Sequence, residues 1–294
     1  MRTRLILTRL AVGVFWLLHF LPLAVLARIG TFAGLAFMAF GRERREVART
    51  NLALCFPQWD KARREALLRD HFRAFGRAFL EAGIVWWSPA ERIRRVVRIE
   101  GEEHMRTQGD RCTILLVPHF VGIEIAGQRL SMEHNGMAIY SRQKNRVFDE
   151  FLLRARSRFT DTLMIARQDG VKPVLRGFKD RQVLFVSPDL DLGRRDAIFV
   201  PFLGVQAATV TALPRLARLG DAVVVPVVVR QLPGGEGYVM RIYPAWENYP
   251  SDSVEADTRR MNAFVEERVL EMPEQYYWVH RRFKTRPEGE PRIY

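Results

Sequence analysis

A histidine and a glutamate five positions apart, His119 and Glu124, lie inside the stretch 114–127, ILLVPHFVGIEIAG. A neutral imidazole can take a proton from a hydroxyl. A carboxylate held against its other ring nitrogen fixes the tautomer and stabilises the imidazolium that forms. Five positions are about 140° apart on a helix of 3.6 residues per turn. The two side chains can therefore meet only if His119 stands off the helix, in the turn before it. The plain alternative is that His119 caps the helix and Glu124 is a first-turn acid favoured by the helix dipole.

The elements around the pair favour such a turn. Residues 114–117 are an apolar, partly β-branched run short enough for a buried strand, and Pro118 stops it. Ile123, Ile125 and Ala126 then open a helix. Turns at strand ends are where α/β proteins hold their chemistry, because the sheet fixes the backbone while the side chains stay accessible. The pattern continues along the chain. Strands are expected at 96–99, 113–117, 137–140, 182–187, 222–230 and 238–243, and helices near Gly122, Asn145, Gly170, Thr209 and Ser253. Gly and Pro punctuate the joins, as in Leu232-Pro-Gly-Gly-Glu236. The fold class is α/β: one mixed sheet covered by helices, with an N-terminal membrane-anchor helix.

That anchor is the uncharged run between Arg9 and Arg28, LAVGVFWLLHFLPLAVLA, roughly 27 Å long as a helix. It is longer than the apolar core of a signal peptide, and more apolar sequence follows to Phe40, so a retained single-pass anchor is the favoured reading. The expected organisation is an anchor and interfacial segment over 1–40 and an enzymatic domain over 41–294. Arg2, Arg4 and Arg9 precede the run and Arg28, Arg42, Arg44 and Arg45 follow it, which places the domain on the cytoplasmic side. Residues 60–87 carry apolar positions at helical steps (Leu68, Phe72, Phe75, Phe79, Ala82, Trp86) with arginines opposite. Ser88-Pro-Ala-Glu91 then forms a capping-box pattern.

The formal charge of +13 points to anionic partners, and with only five lysines among 46 basic residues nearly all of it is arginine. Cys55 and Cys112 form neither a disulfide framework nor a metal pattern, and no cofactor is implied. No RNA-recognition or helix-turn-helix motif accompanies the charge, so nucleic acid is not expected as a partner.

HFVGIE resembles the His-x4-Asp/Glu motif of lysophospholipid-type acyltransferases, specifically the late lipid A acyltransferases of Gram-negative bacteria. Three further stretches carry the resemblance: Ser187-Pro-Asp-Leu-Asp-Leu-Gly193, the following FVPFLGVQAATVT, and Pro273-Glu-Gln-Tyr-Tyr-Trp-Val-His-Arg-Arg-Phe-Lys284. By residue type alone, Asp189 and Asp191 are turn formers at a strand end. The arginines of the helix after Asn145 are by the same test a solvated face, and Trp278 and Phe283 are core. The resemblance implies more: Asp189 and, as a weaker candidate, Asp191 at the site, and Arg156 stabilising charge or gripping a phosphate. It also offers Arg142, Arg281 and Arg282 as weaker substrate contacts. The pair at Arg142 departs from the family pattern, because Ser141 separates Tyr140 from it.

What the resemblance implies for function is acyl transfer from an acyl carrier protein thioester to a hydroxyl of a Kdo-bearing lipid A precursor. The reaction would take place at an anionic inner membrane, with His119 as general base and Glu124 orienting it. The alternatives are acyl transfer to another acceptor (a lysophospholipid, a glycolipid or an ornithine lipid) and a non-catalytic basic module that binds membranes.

Overall fold

Strand β2 (Thr113–Leu116) is buried on both faces, and most of the fold serves to cover them. The computed structural model describes residues 2–106 and 111–294. Before β2 come α1 (Arg2–Leu18), α2 (Leu23–Phe40), α3 (Arg42–Cys55), α4 (Lys61–Trp87), α5 (Ala90–Val96), β1 (Val97–Glu100) and the single turn α6 (Glu103–Arg106). After it, helices and strands alternate through α7 (Ile123–Ser131), β3 (Gly136–Tyr140), α8 (Arg146–Arg156), β4 (Leu163–Ala166), α9 (Lys172–Lys179) and β5 (Val183–Val186). A hairpin follows, β6 (Ala197–Phe202) and β7 (Val205–Val210). The chain closes through α10 (Ala212–Leu219), β8 (Val223–Gln231), β9 (Tyr238–Ile242) and α11 (Val254–Glu271).

Seven strands form one mixed sheet in the order β1-β9-β8-β2-β5-β3-β4, and β6–β7 stand apart as an antiparallel pair. Strands β8, β2, β5, β3 and β4 run parallel, so their carboxyl ends share one edge. The long apolar run of β8 is what a strand covered on both faces requires. Leu115 and Val117 face one layer of the core with Val223, Val225, Val227 and Val229, under α4, α7 and α8. Ile114 and Leu116 face the other with Leu184, Val224 and Phe178, under α9, α10 and α11. A third cluster joins α3, the first half of α4 and α11 to the C-terminal segment, with Trp278 and Phe283 buried in it, as their residue types imply.

Several boundaries differ from the expectations. Helix α4 starts as expected, with Asp60 accepting the Arg63 N–H at 2.7 Å. The capping box at Ser88 does not form: Ser88 closes α4, and α5 begins after Pro89 without a side-chain cap. Thr209 is paired in β7, and the helix begins at Ala212. FVPFLGVQAATVT folds as the β6–β7 hairpin, turning at Leu203-Gly204, both with positive φ. The anchor expected over residues 10–27 is not one helix, since α1 ends at Leu18 and α2 begins only after Pro22. Among the described residues, α2 is instead the helix long and apolar enough to cross a membrane.

Candidate active site

His119 and Asp189 both lie beyond the carboxyl ends of parallel strands. His119 follows β2 and Asp189 follows β5, the neighbouring strand. Arg142 and Asp169 follow β3 and β4 and pair with each other at 3.1 Å on the exposed rim.

The His119 ring is held by Asp189. Its Nδ1 lies 2.8 Å from Asp189 Oδ1, and the backbone N–H of His119 donates to Oδ2 at 3.0 Å. A carboxylate only accepts, so Nδ1 carries the proton and Nε2 the lone pair. Among the described residues no group is hydrogen bonded to Nε2, and the side chain is 24% exposed against 0% for Asp189. Burial pushes the Asp189 pKa up. Electrostatic attraction to the His119 ring, the two hydrogen bonds and the nearby Arg282 more than offset it, holding Asp189 below the usual carboxylate range.

The turn itself is clamped from the C-terminal segment. Tyr277 N–H donates to His119 O at 3.0 Å, Val121 N–H to Gln275 O at 2.8 Å, and Phe120 bridges to Tyr276. Gln275 also exchanges side-chain bonds with the backbone of Gln231 at the end of β8, tying the turn to the same sheet edge. The Tyr277 ring lies near that of His119, centroids 6.2 Å apart.

Glu124 has different partners from those expected. The His119 ring nitrogen that it was to hold is taken by Asp189, and no hydrogen bond joins Glu124 to His119. Glu124 sits in the first turn of α7, where Arg156 at the end of α8 grips it through Nε at 3.2 Å to both oxygens and Nη2 at 2.6 Å. Trp86 Nε1–H of α4 donates to it at 2.9 Å. Burial pushes Glu124 up, but Arg156 and the indole outweigh that and hold it low. Burial likewise pulls Arg156 down, and Glu124 more than restores it. The reason is directional: helix α7 turns its first-turn acid toward α4 and α8, away from β5. Among the described residues nothing is hydrogen bonded to Arg156 Nη1.

Two weaker candidates are structural. Asp191 is fully buried and accepts from Gly193 N–H, Thr285 N–H and Thr285 Oγ1–H, so it clasps the C-terminal segment. Arg282 is 2% exposed, donates to Ala208 O and Thr209 Oγ1 at 2.9 Å each, and lies over the Phe202 ring. It supports Asp189 electrostatically from beneath. Arg281 points to the surface and pairs with Glu43 at 3.2 Å.

Beside Trp86 opens a cavity of about 110 Å³ walled by Val12 and Phe15 of α1, Phe79 of α4, and Phe148 and Phe151 of α8. One indole therefore forms a wall of an apolar cavity and also bonds Glu124. Residue reasoning placed Trp86 only on the apolar face of residues 60–87 and missed this. The available signal was its position on the apolar face of α4, since a buried indole N–H needs an acceptor.

The bacterial lipid A biosynthesis acyltransferase model matches residues 1–285. The chain belongs to that family. The lipid A biosynthesis lauroyltransferase of Escherichia coli K12 is 37% identical over 291 residues, covering 98% of this chain and 94% of the relative. The palmitoleoyltransferase of the same strain is 34% identical with the same coverage. Its myristoyltransferase is 34% identical over 278 residues, 92% of this chain and 83% of the relative. The chain is thus an acyltransferase of lipid A biosynthesis, and its histidine–aspartate pair is the candidate centre for that chemistry.

Proposed function

We propose that the enzyme transfers a fatty acyl chain from an acyl carrier protein thioester to a hydroxyl of a Kdo-bearing lipid A precursor. The observation that carries this reading is the unengaged Nε2 of His119, its ring oriented by buried Asp189. Nε2 takes the proton of the acceptor hydroxyl as its oxygen attacks the thioester carbonyl. The carbonyl becomes a tetrahedral oxyanion, which collapses to break the carbon–sulfur bond. The imidazolium, stabilised by Asp189, returns the proton to the departing thiolate. Ester and thiol are the products, and no acyl group rests on the protein.

Arg156, braced by Glu124 and Trp86, keeps Nη1 for a substrate anion, and its planar fork suits a phosphate. Arg142 on the same sheet edge, and Arg281 further out, are the weaker contacts. The apolar cavity beside Trp86 suits the acyl chain. The acidic carrier protein would be drawn to a chain of charge +13. The enzyme would work at the cytoplasmic face of the inner membrane, where apolar α2 and the arginines meet anionic lipid.

The test supplies purified enzyme with an acyl carrier protein thioester and either the Kdo-bearing precursor or lysophosphatidic acid. Initial rates should favour the precursor by about 10²–10⁴-fold, the value of two additional charge-assisted hydrogen bonds. Equal or faster acylation of the lysophospholipid overturns the acceptor assignment.

A further inference from the structure

Helix α2 has the length and composition of a membrane span, yet the protein body holds both of its ends. At its start, Ala24 packs so closely on the β8–β9 turn that a Cβ on Gly235 would lie 2.6 Å from Ala24 Cα. Just before it, the carbonyls of His19 and Leu21 accept from the Arg92 guanidinium of α5. At its other end, Arg45 of α3 donates to Met38 O and Ala39 O at 2.9 and 3.0 Å. Between these points α2 lies on α4 with backbones in contact. A Cβ on Gly34 would meet Phe72 O at 1.9 Å, and one on Gly76 would meet Gly30 O at 2.3 Å. A spanning helix must place its ends on opposite sides of a bilayer. The ends of α2 both rest on one body.

The charges around α2 agree. Arg28 is exposed about 5 Å from the midpoint of α2, and exposed Arg9 lies one residue from the middle of α1. Where Phe72 and Gly76 touch the middle of α2, the neighbouring Asp70–Arg73 pair is 52% and 46% exposed. A spanning α2 would carry Arg28 and the Asp70–Arg73 pair to the hydrocarbon centre, where ionised side chains are strongly disfavoured. Against them stand apolar side chains facing outward. Leu10, Val14 and Leu17 of α1, Phe20 of the turn after it, and Phe32 and Phe40 of α2 are between 54% and 89% exposed.

From these contacts we infer that α1 and α2 form a two-helix segment, each helix lying on α4, that enters only one leaflet of the membrane, on the side of the catalytic domain. The apolar side chains sink into the acyl-chain layer, while Arg9, Arg28, Arg42 and Arg44 stay at the level of anionic headgroups. The occupant of this face is lipid. The inference rests on the membrane association proposed above, and departs from the single-pass anchor expected from the sequence.

The decisive position is the turn between the helices, because any spanning α2 puts residue 20 on the far side from the domain. Full-length protein with Cys55 and Cys112 changed to serine would carry Phe20→Cys or, as a second site, Leu17→Cys. Glu290→Cys marks the side of the domain. Each variant is checked for acyl transfer and then exposed to a membrane-impermeant thiol reagent in intact and in lysed spheroplasts. The expected result is that Phe20→Cys and Leu17→Cys are unreactive in intact spheroplasts, as Glu290→Cys is, which alone gains full labelling on lysis. Labelling of Phe20→Cys from the side opposite Glu290→Cys overturns the inference. Recovery of the whole chain in the soluble fraction would instead sink the membrane reading beneath it, a result distinguishable by sedimentation before any labelling.

Discussion

Two acid–base pairs flank one turn of the chain, and they do opposite things with similar parts. Asp189 reaches His119 from the neighbouring strand, takes one ring nitrogen and leaves the other open. Glu124, five residues along from His119, is closed in by three donor atoms of Arg156 and Trp86. The first pair leaves a lone pair available for a proton. The second fixes a cation and leaves the carboxylate no role as a base. The comparison teaches that a carboxylate's role follows from its donors. Its distance along the chain from a histidine does not decide it.

The largest effects should separate the pairs by coupling. His119→Ala and Asp189→Asn should each lower turnover by about 10²–10⁴-fold with the fold intact. Because the two act as a unit, the double variant should be little worse than the weaker single. Glu124→Gln combined with His119→Ala should instead add its own separate loss. Steady-state rates for the two double-mutant cycles make the comparison. A near-normal rate in Asp189→Asn, with strong coupling between His119 and Glu124, would reverse the assignment of the pairs.

The second expected effect is on stability. Removing one partner of a buried ion pair strands the other, and fully buried cases lose about 3–5 kcal/mol. Glu124 and Arg156 keep 19% and 31% side-chain exposure, so Arg156→Ala should lose roughly 1–3 kcal/mol in denaturant unfolding. Arg156→Lys should recover part of the stability but little of the acceptor affinity, because lysine lacks the fork. Arg156→Ala with unchanged stability and unchanged acceptor KM would sharpen the comparison against us.

The sheet was legible because its strands are short apolar runs cut by Gly and Pro. Six strands were foreseen, whereas β4 and the β6–β7 hairpin were not. Leu163–Ala166 is four residues on a sheet edge, too few to show a period. FVPFLGVQAATVT carries a Pro in a strand, which usually argues against one. At the site, His119 was legible from its place after a strand. Its partner was not, because Asp189 is 70 residues away in sequence and only the strand order β2-β5 brings the two together. Arginine roles were least legible of all. Arg281 and Arg282 are adjacent and identical in type, yet one points outward and the other is buried against β7.

Acid should expose a third difference, between buried histidines and the buried aspartate. Burial pulls His71 down to about 4, its hydrogen bond to Glu274 O only partly opposing this. Burial also pulls His280 to about 4, helped by Lys284. An unfolded histidine titrates near 6.5, so the unfolded chain binds more protons between the two values. The stability these groups contribute is complete above pH 6.5 and is lost as pH falls toward 4. For fully buried His71 that is on the order of 3 kcal/mol. Asp189, held low, contributes stability that persists to the ordinary carboxylate range and is lost only as pH falls below it. Unfolding free energies measured from pH 8 to 4 should show a slope that His71→Gln reduces by about half and Asp189→Asn leaves in place. An unchanged slope in His71→Gln would show that this histidine is charged in the folded protein.

The smallest effect belongs to Arg281, and it tests how far the substrate-binding edge extends. Its side chain is 45% exposed and its partner Glu43 69%, so their ion pair is worth at most about 0.5 kcal/mol. Arg281→Ala should leave the melting temperature within about 1 °C of the parent. Its neighbour is bonded into β7 and supports Asp189, so Arg282→Ala should lower both stability and turnover. If Arg281 meets a distal phosphate of the acceptor through solvent, losing it raises the acceptor KM by less than about threefold, because a screened contact is worth a few tenths of a kcal/mol. Turnover should not change, since the contact is the same before and during the reaction. A tenfold rise in KM would extend the anion-binding edge from Arg156 out to the C-terminal segment. A fall in turnover would mean that Arg281, like Arg282, positions the clamp on the His119 turn.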